Sequence, residues 1–439
     1  MFAALKEIAL INPRGSFKLG KQNLAVSFLP MKAVGAETGV FDLSNEIKLS
    51  EGIKRFTVFQ DGDILFAKIT PCMENGKVAL VSGLRNGLGL GSTEFHVIRI
   101  AQGVSSKYCF YYLIQRNIRK FLQHKMTGTA GQLRVPTKEI EDLNIPLCSL
   151  PEQKRIVAKI ESLFLRLDSA KDSLERVRQE IKRYRQSVLK TAFEGKLSKD
   201  AAGFKTYKVK EIFKLIDGDR GNKYPKKTDY MKEGYCLFLS TKNVRIDGFK
   251  FDEKVYISAK KHKELRNGTL DRGDIVITTR GTLGNVALYD TNVNEKVVRI
   301  NSGMLILRLV NAGVSRKYLV QYFISPKFTH QIDKLRSGTA QPQLPARVFK
   351  EFTIDIPDKE ENQNKIVNDI EARFKRVKVL EDMVEQGLKK IERLKQSILK
   401  KAFEGKLVEP DPNDEPVEVL LARIKKEKTI LILKEAKDG

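Results

Sequence analysis

Two long stretches of the chain carry apolar side chains three and four residues apart. From Glu152 to Glu194 there is neither Gly nor Pro, and Ile160, Leu163, Leu167, Ala170, Leu174, Val177, Ile181, Tyr184 and Val188 alternate by those steps without a break. A second stretch repeats the alternation with Ile370, Val377, Leu380, Val384, Ile391, Leu394 and Ile398, interrupted at Arg373 and Gly387. A period of 3.5 sustained over about four heptads predicts two long helices that pack on each other as a coiled coil. Ser149 with Glu152, and Asp358 with Glu361, have the spacing of a capping box at the two starts. Gly195 and Gly405 stand where a left-handed residue would close each helix.

The two helix ends are near copies. QSVLKTAFEGKL (186–197) and QSILKKAFEGKL (396–407) agree at ten of twelve positions, 210 residues apart. The same shift relates GDILFAKITPCMENGKVALV (62–81) to GDIVITTRGTLGNVALY (273–289), VSSKYCFYYL (104–113) to VSRKYLVQYF (314–323), and TGTAGQL (127–133) to SGTAQPQL (337–344). Self-similarity of this length means a duplicated architecture. It divides the chain into a module (1–148), a helix (149–197), a second module (198–357), a second helix (358–408) and a tail (409–439). Within the modules, β-branched runs such as ILFAKI, FHVIRI, IVITTR and MLILRL lie between Gly- and Asn-containing turns and predict strands. Stretches 106–123 and 316–334 have helical spacing. Each module is therefore expected to be α+β with a twisted sheet.

If a pseudo-two-fold axis relates the halves, the long helices lie antiparallel and hold the modules apart. At about 1.5 Å per residue the rod would measure roughly 65 Å. That is between one and two turns of a duplex, each about 34–36 Å. The balance of 80 Lys+Arg against 54 Asp+Glu gives a net charge of +26, which argues for a polyanionic partner, DNA first. The framework motifs align, yet 35–55 and 217–235 share almost nothing. One scaffold with two surfaces is expected to read two unlike half-sites, an asymmetric and interrupted target.

No catalytic pattern competes with that reading. An adenine methyltransferase needs a Pro-Pro-aromatic motif to hold a flipped base, and no Pro-Pro pair occurs. GLGLG (87–91) lacks the strand-to-helix setting of a nucleotide loop, and there is no GxxxxGK[ST]. His96, His124, His262 and His330 have no metal-ligand spacing, so no metal is expected, and Cys72, Cys109, Cys148 and Cys236 form no CxxC pair. With no apolar run near 18 residues and charged Lys6 and Glu7 near the start, the chain is expected to be soluble and cytoplasmic.

Affinity for DNA should come from Lys and Arg on phosphates, and specificity from a few polar side chains at base edges. The loop 218–232 offers Arg220, Lys223, Lys226 and Lys227 interleaved with Tyr224. A second candidate is Thr279, Arg280 and Thr282, with its counterpart Lys68, Thr70, Glu74, Asn75 and Lys77; glycines here permit close backbone approach. The third is the paired Gly-Thr-Ala loop, with Gln132 and Arg134 in one copy and Gln341 and Gln343 in the other. Because Gly-Thr-Ala itself repeats, Gly128 and Gly338 are expected to be structural. The first long helix carries twelve basic and seven acidic side chains over 151–197, a mixed surface suited to a protein partner or to spanning. In the tail, Leu420, Leu421 and Ile424 should dock on the scaffold or on a partner protein, and not on DNA.

LPEQKRIVAKIE (150–161), the paired AFEGKL motifs and GKLVEPDPNDEPVEVLLARIKKE (405–427) resemble the specificity (S) subunits of type I restriction-modification systems. The resemblance spans essentially the full chain in the family order of recognition domain, conserved helix, recognition domain, conserved helix. One departure is the second helix, which starts DKEENQNKIV where PEQ is expected. The resemblance implies two target recognition domains joined by antiparallel coiled-coil helices, and no catalysis by this chain. It also implies double-stranded DNA, two methyltransferase subunits and restriction subunits as partners, with S-adenosylmethionine, ATP and magnesium on those subunits and no cofactor here. The competing readings are an enzyme, methyltransferase or nuclease, with unrecognised motifs, and a coiled-coil protein scaffold.

Overall fold

In the computed structural model the described residues are 1–13, 24–129, 131–195, 203–311, 313–334 and 343–438. The chain forms two compact units, Met1–Ser173 with Gln386–Gly439, and Leu174–Glu385. Each unit contains one module and a part of both long helices, Leu150–Phe193 and Glu360–Phe403.

The first unit is built on a four-stranded antiparallel sheet in the order Ala9–Ile11, Phe95–Ile100, Ile64–Ala67, Val78–Leu80. Every residue of Ile64–Ala67 is buried, because the strand divides two cores. Ile64 and Phe66 face the helices Ser106–Leu113 and Arg116–Gln123 together with the long helices, while Leu65 and Ala67 face a second core containing Leu29 and Phe59. A second sheet follows, Glu46–Lys48, Ala25–Leu29, Leu88–Gly91, Thr57–Gln60, with Ala25–Leu29 parallel to Leu88–Gly91. Each module thus has two main sheets where the strand pattern predicts one, since a strand buried on both faces needs a layer on each side.

The second unit repeats the frame. Its main sheet runs Phe213–Asp217, Met304–Leu309, Ile275–Thr278, Val286–Leu288, and Cys236–Leu239 lies parallel to Val298–Ile300 in the other. In both main sheets a buried Asp takes an Arg fork from the neighbouring strand. Asp63 accepts from Arg99 Nε and Nη2 at 2.9 and 2.9 Å, and Asp274 from Arg308 at 3.0 and 2.7 Å. The unit differs at its periphery, where among the described residues its second sheet has three strands instead of four.

The duplicated helix ends are core plugs. Phe193 sits edge-on to Tyr318 and Tyr322, with ring centroids 5.3 and 5.1 Å away, in the second unit. Phe403 sits against Tyr108 and Tyr112 at 4.9 and 5.1 Å in the first. Gly195 and Gly405 follow with φ of 73° and 70°, the left-handed closure expected from the sequence. The starts are matched too. Gln153 bonds Ser105 N and Cys148 O at 2.8 and 2.9 Å, and Gln363 bonds Ser315 N and Pro357 O at 2.7 and 3.0 Å. The second helix therefore keeps the glutamine of the PEQ start although its neighbours differ.

In the first unit Asp168 meets Lys395 at 2.6 Å and Lys171 meets Glu392 at 3.5 Å, so three residues forward on one helix are three back on the other. The helices are antiparallel there. In the second unit Arg185 forks onto Glu381 at 3.0 and 3.0 Å. Ile160, Ile181, Val377, Val384 and Ile391 are buried as a seam requires, and Leu163, Leu167 and Leu174 are half-buried. Val177, Leu380 and Leu394, expected in the seam, are 45%, 49% and 40% exposed. The inward positions beside the last two belong to Glu381 and Lys395. Arg185 lies over the Phe374 ring at 4.6 Å and Lys395 over Phe164 at 5.2 Å. Long cationic stems covering aromatic rings occupy the line that apolar spacing alone would assign to Leu.

The tail helix, Val417–Asp438, docks on the first module. Leu420 and Ile424 are fully buried, beside Gly103, and Leu421 packs at the margin of the same core. Asp414 takes two bonds from Arg155 at 3.2 and 2.7 Å, at the root of the first long helix.

Candidate nucleic-acid interface

Beyond Ala67 the first module's central strand continues into Lys68, Ile69 and Thr70, where the hairpin Thr127–Thr129 and Gln132–Arg134 joins it. Thr70 N donates to Leu133 O at 3.0 Å and Val135 N donates to Lys68 O at 2.9 Å. This junction gathers Lys68, Thr70, Gln132 and Arg134. Gly128 has φ 128°, and a Cβ on it would meet Gln132 O at 2.8 Å, so its role is structural. The second unit makes the matching junction: Leu344 N donates to Thr279 O at 3.0 Å, placing Gln343 beside Thr279 and Arg280. Gln341 and Gly338 lie outside the described residues.

Burial separates the candidates. Asn75 and Gln132 in the first unit, and Lys223, Lys226, Lys227, Arg280, Thr282 and Gln343 in the second, are exposed. Arg220 is exposed and paired with Asp217 at 3.0 Å. Lys68 and Thr70 are half-buried, the Thr70 hydroxyl lying 4.0 Å from Met126 Sδ.

Five candidates are already committed within the protein. Lys77 Nζ donates to Met31 O at 2.8 Å and ties two loops together. Arg134 forks onto Glu94 at 2.9 and 2.8 Å, and that guanidinium holds the Glu94 carboxyl below its ordinary range. Thr279 is 4% exposed. Tyr224 packs on Phe238, centroids 5.8 Å apart, as the floor of its loop. Glu74 is half-buried, with Oε2 buried and without a hydrogen-bond partner. Thr279 is enclosed by the fold, whereas Lys77 and Arg134 hold N–H donors beyond these bonds.

The sequence reading missed Arg266 and Asn267. Both are exposed and face Arg220, Asn222 and Lys223 across a cleft of about 640 Å³. Gly221 N and Arg266 N donate to the Asp219 carboxylate at 2.9 and 2.8 Å, which keeps that carboxyl below its ordinary range. The signal was there in KKHKELR (260–266), a dense basic run ahead of a Gly turn. Among the described residues no group of three or more His, Cys, Asp or Glu side chains is placed to hold a metal ion. Among them, too, no helix is long and apolar enough to cross a membrane.

Two modules on one frame, each ending in a polar, partly basic junction, and paired long helices within each unit define a duplicated recognition protein. The chain belongs to the family described as the type I restriction modification DNA specificity domain, which matches residues 2–179 and 202–388. The EcoAI specificity subunit of Escherichia coli is 40% identical over 178 residues, covering 40% of this chain and 29% of that protein. The EcoBI specificity subunit of Escherichia coli is 26% identical over 326 residues, 66% of each. The putative MjaX specificity subunit of Methanocaldococcus jannaschii is 26% identical over 372 residues, 79% of this chain and 78% of that one. The chain thus spans under a third of the length of the EcoAI subunit and of the similar EcoEI subunit of Escherichia coli, 29% and 27%. A solved chain from work on complex assembly and conformational transition of the type I R-M system superposes with a TM-score of 0.70 at 23% identity, covering 92% of this chain and 98% of that one. The crystal structure of the HsdS subunit from Thermoanaerobacter tengcongensis gives 0.51 at 22%, covering 92% and 97%. At these identities the likeness concerns the fold.

Proposed function

We propose that this chain is the non-catalytic DNA-specificity subunit of a type I restriction-modification assembly, each module reading one half of an asymmetric bipartite target. The observation that carries the reading is one frame bearing two different exposed sets. Asn75 and Gln132 are exposed in the first module, whereas Arg280, Thr282 and Gln343 are exposed in the second, together with the loop lysines Lys223, Lys226 and Lys227. Amide side chains suit adenine edges and Arg suits guanine, while the lysines suit phosphates. On this reading methyltransferase subunits would bring S-adenosylmethionine, restriction subunits would bring ATP and magnesium, and the long helices and tail would serve assembly.

The test exchanges residues 1–148 for the corresponding module of a relative and maps methylation directed by the complex with its methyltransferase subunits. The reading expects one half-site to change and the other to stay. An unaltered target favours a protein scaffold. Binding of S-adenosylmethionine by the isolated chain would favour an enzyme.

A further inference from the structure

The loop 71–76 of the first unit rests on one guanidinium. Arg119, on the helix Arg116–Gln123, is 3% exposed. Its Nη1 donates to Glu74 O and its Nη2 to Glu37 Oε1. Glu37 also receives a fork from Arg116, with Nε to Oε1 at 3.0 Å and Nη2 to Oε2 at 2.8 Å, and its backbone N donates to Gly76 O at 2.9 Å. Arg116 N in turn donates to Gln396 Oε1 of the second long helix at 3.0 Å. A continuous polar path therefore runs from a long helix, through Arg116, Glu37 and Arg119, to the backbone of the loop that carries exposed Asn75.

Gly76 makes room for it. Its φ is 70°, and a Cβ there would come within 2.8 Å of Arg119 Cζ. The arrangement is also costly, because Arg119 Nε and Glu74 Oε2 are both buried without a partner. Packing alone would be served better by an apolar side chain than by an incompletely satisfied buried ion. Nor is the clasp part of the duplicated frame, since the position 210 residues on is Thr329. A costly polar device confined to one module, beneath a loop that differs between the modules, belongs with what differs between them.

Building on the function proposed above, we infer that Arg119 is a positioning residue for the first module, fixing the loop 71–76 so that the Asn75 amide meets a base edge. An amide reads a base only when both of its hydrogen bonds form together, so a loop shift of about an ångström abolishes discrimination while leaving phosphate contacts in place.

The test uses the complex with methyltransferase subunits on DNA libraries randomised in one half-site at a time, comparing wild type, Arg119→Lys, Glu37→Gln and Asn75→Ala. Arg119→Lys is expected to lower discrimination at least tenfold at the base positions relaxed by Asn75→Ala. The other half-site should stay as in wild type. Glu37→Gln should relax the same positions less. Loss spread equally over both half-sites, or unchanged discrimination in Arg119→Lys while Asn75→Ala relaxes it, overturns the inference. Should Arg119→Lys fail to fold, Glu37→Gln decides alone, and wild-type discrimination in it overturns the inference. A wild-type complex that selects no bipartite target at all fails the proposed function itself, a result distinct from any difference among the variants.

Discussion

Replacing Phe193 by Ala should unfasten the second unit and leave the first intact. Phe193 is 1% exposed and makes edge-to-face contacts with Tyr318 and Tyr322. Truncating a buried Phe costs about 3–5 kcal/mol, part of it from the aromatic pairs at about 0.5–1.5 kcal/mol each. Its neighbours are the long-helix start at Ile366–Ile370 and the helix Arg316–Phe323, all within the same core. Hydrogen exchange followed by mass spectrometry resolves the effect along the chain. Peptides covering 204–217, 316–333 and 353–370 should exchange faster by roughly a hundredfold to a few thousandfold, since each 1.4 kcal/mol is tenfold. Peptides covering 64–100 should be unchanged. Phe403→Ala should give the mirror result, weaker because Phe403 is half-buried. Acceleration of 64–100 by Phe193→Ala would refute the assignment of each helix end as the plug of one unit.

Replacing Lys223, Lys226 and Lys227 together by Ala should reduce the slope of log affinity against log salt by about 2 to 3, at about 0.9 per phosphate contact; DNA titrations at several salt concentrations measure it, and an unchanged slope removes this loop from the backbone contacts. Asp274→Asn takes the fork from Arg308, which keeps its pair with Asp271 at 2.7 Å, and should cost about 1.5–3 kcal/mol in denaturant unfolding, whereas replacing both partners by apolar residues should recover most of it. Glu37 and Glu94 are held below the ordinary carboxylate range by Arg116 and Arg134 respectively. The unfolded chain therefore binds more protons, so their contribution is complete above the ordinary carboxylate pKa and is lost as pH falls through the depressed values. The midpoint of thermal unfolding should drop on acidification below about pH 4.5, and less steeply in Glu94→Gln.

What the sequence revealed and what it hid follow different physics. The duplication, the long helices, the glycine closures and the frame strands were readable because they depend on local pattern and on the chain's own repetition. Hidden were partnerships set by three-dimensional proximity. Lys77 ties to the Met31 carbonyl and Arg134 forks onto Glu94, both far away in sequence, and no local pattern marks either partnership. Thr279 sits in a run of polar residues yet is buried, because its backbone closes the junction with Leu344. The seam misled for a related reason: Arg185 and Lys395 bury their stems over rings, and no apolar spacing marks that. Arg266 and Asn267 escaped notice because their cleft forms between segments more than forty residues apart.

The way the chain is apportioned between the units bears on its birth at the ribosome. The second unit is contiguous, Leu174–Glu385, but the first requires Gln386–Gly439 to complete it. At translation speeds of about 5–20 residues per second, the amino-terminal module waits roughly 12–50 seconds for Phe403, Leu420 and Ile424 to emerge and cover Tyr108, Tyr112 and Gly103. The module translated before the second unit is completed only after it, and a nascent chain stalled at Glu385 would leave that apolar face open to chaperones or to aggregation.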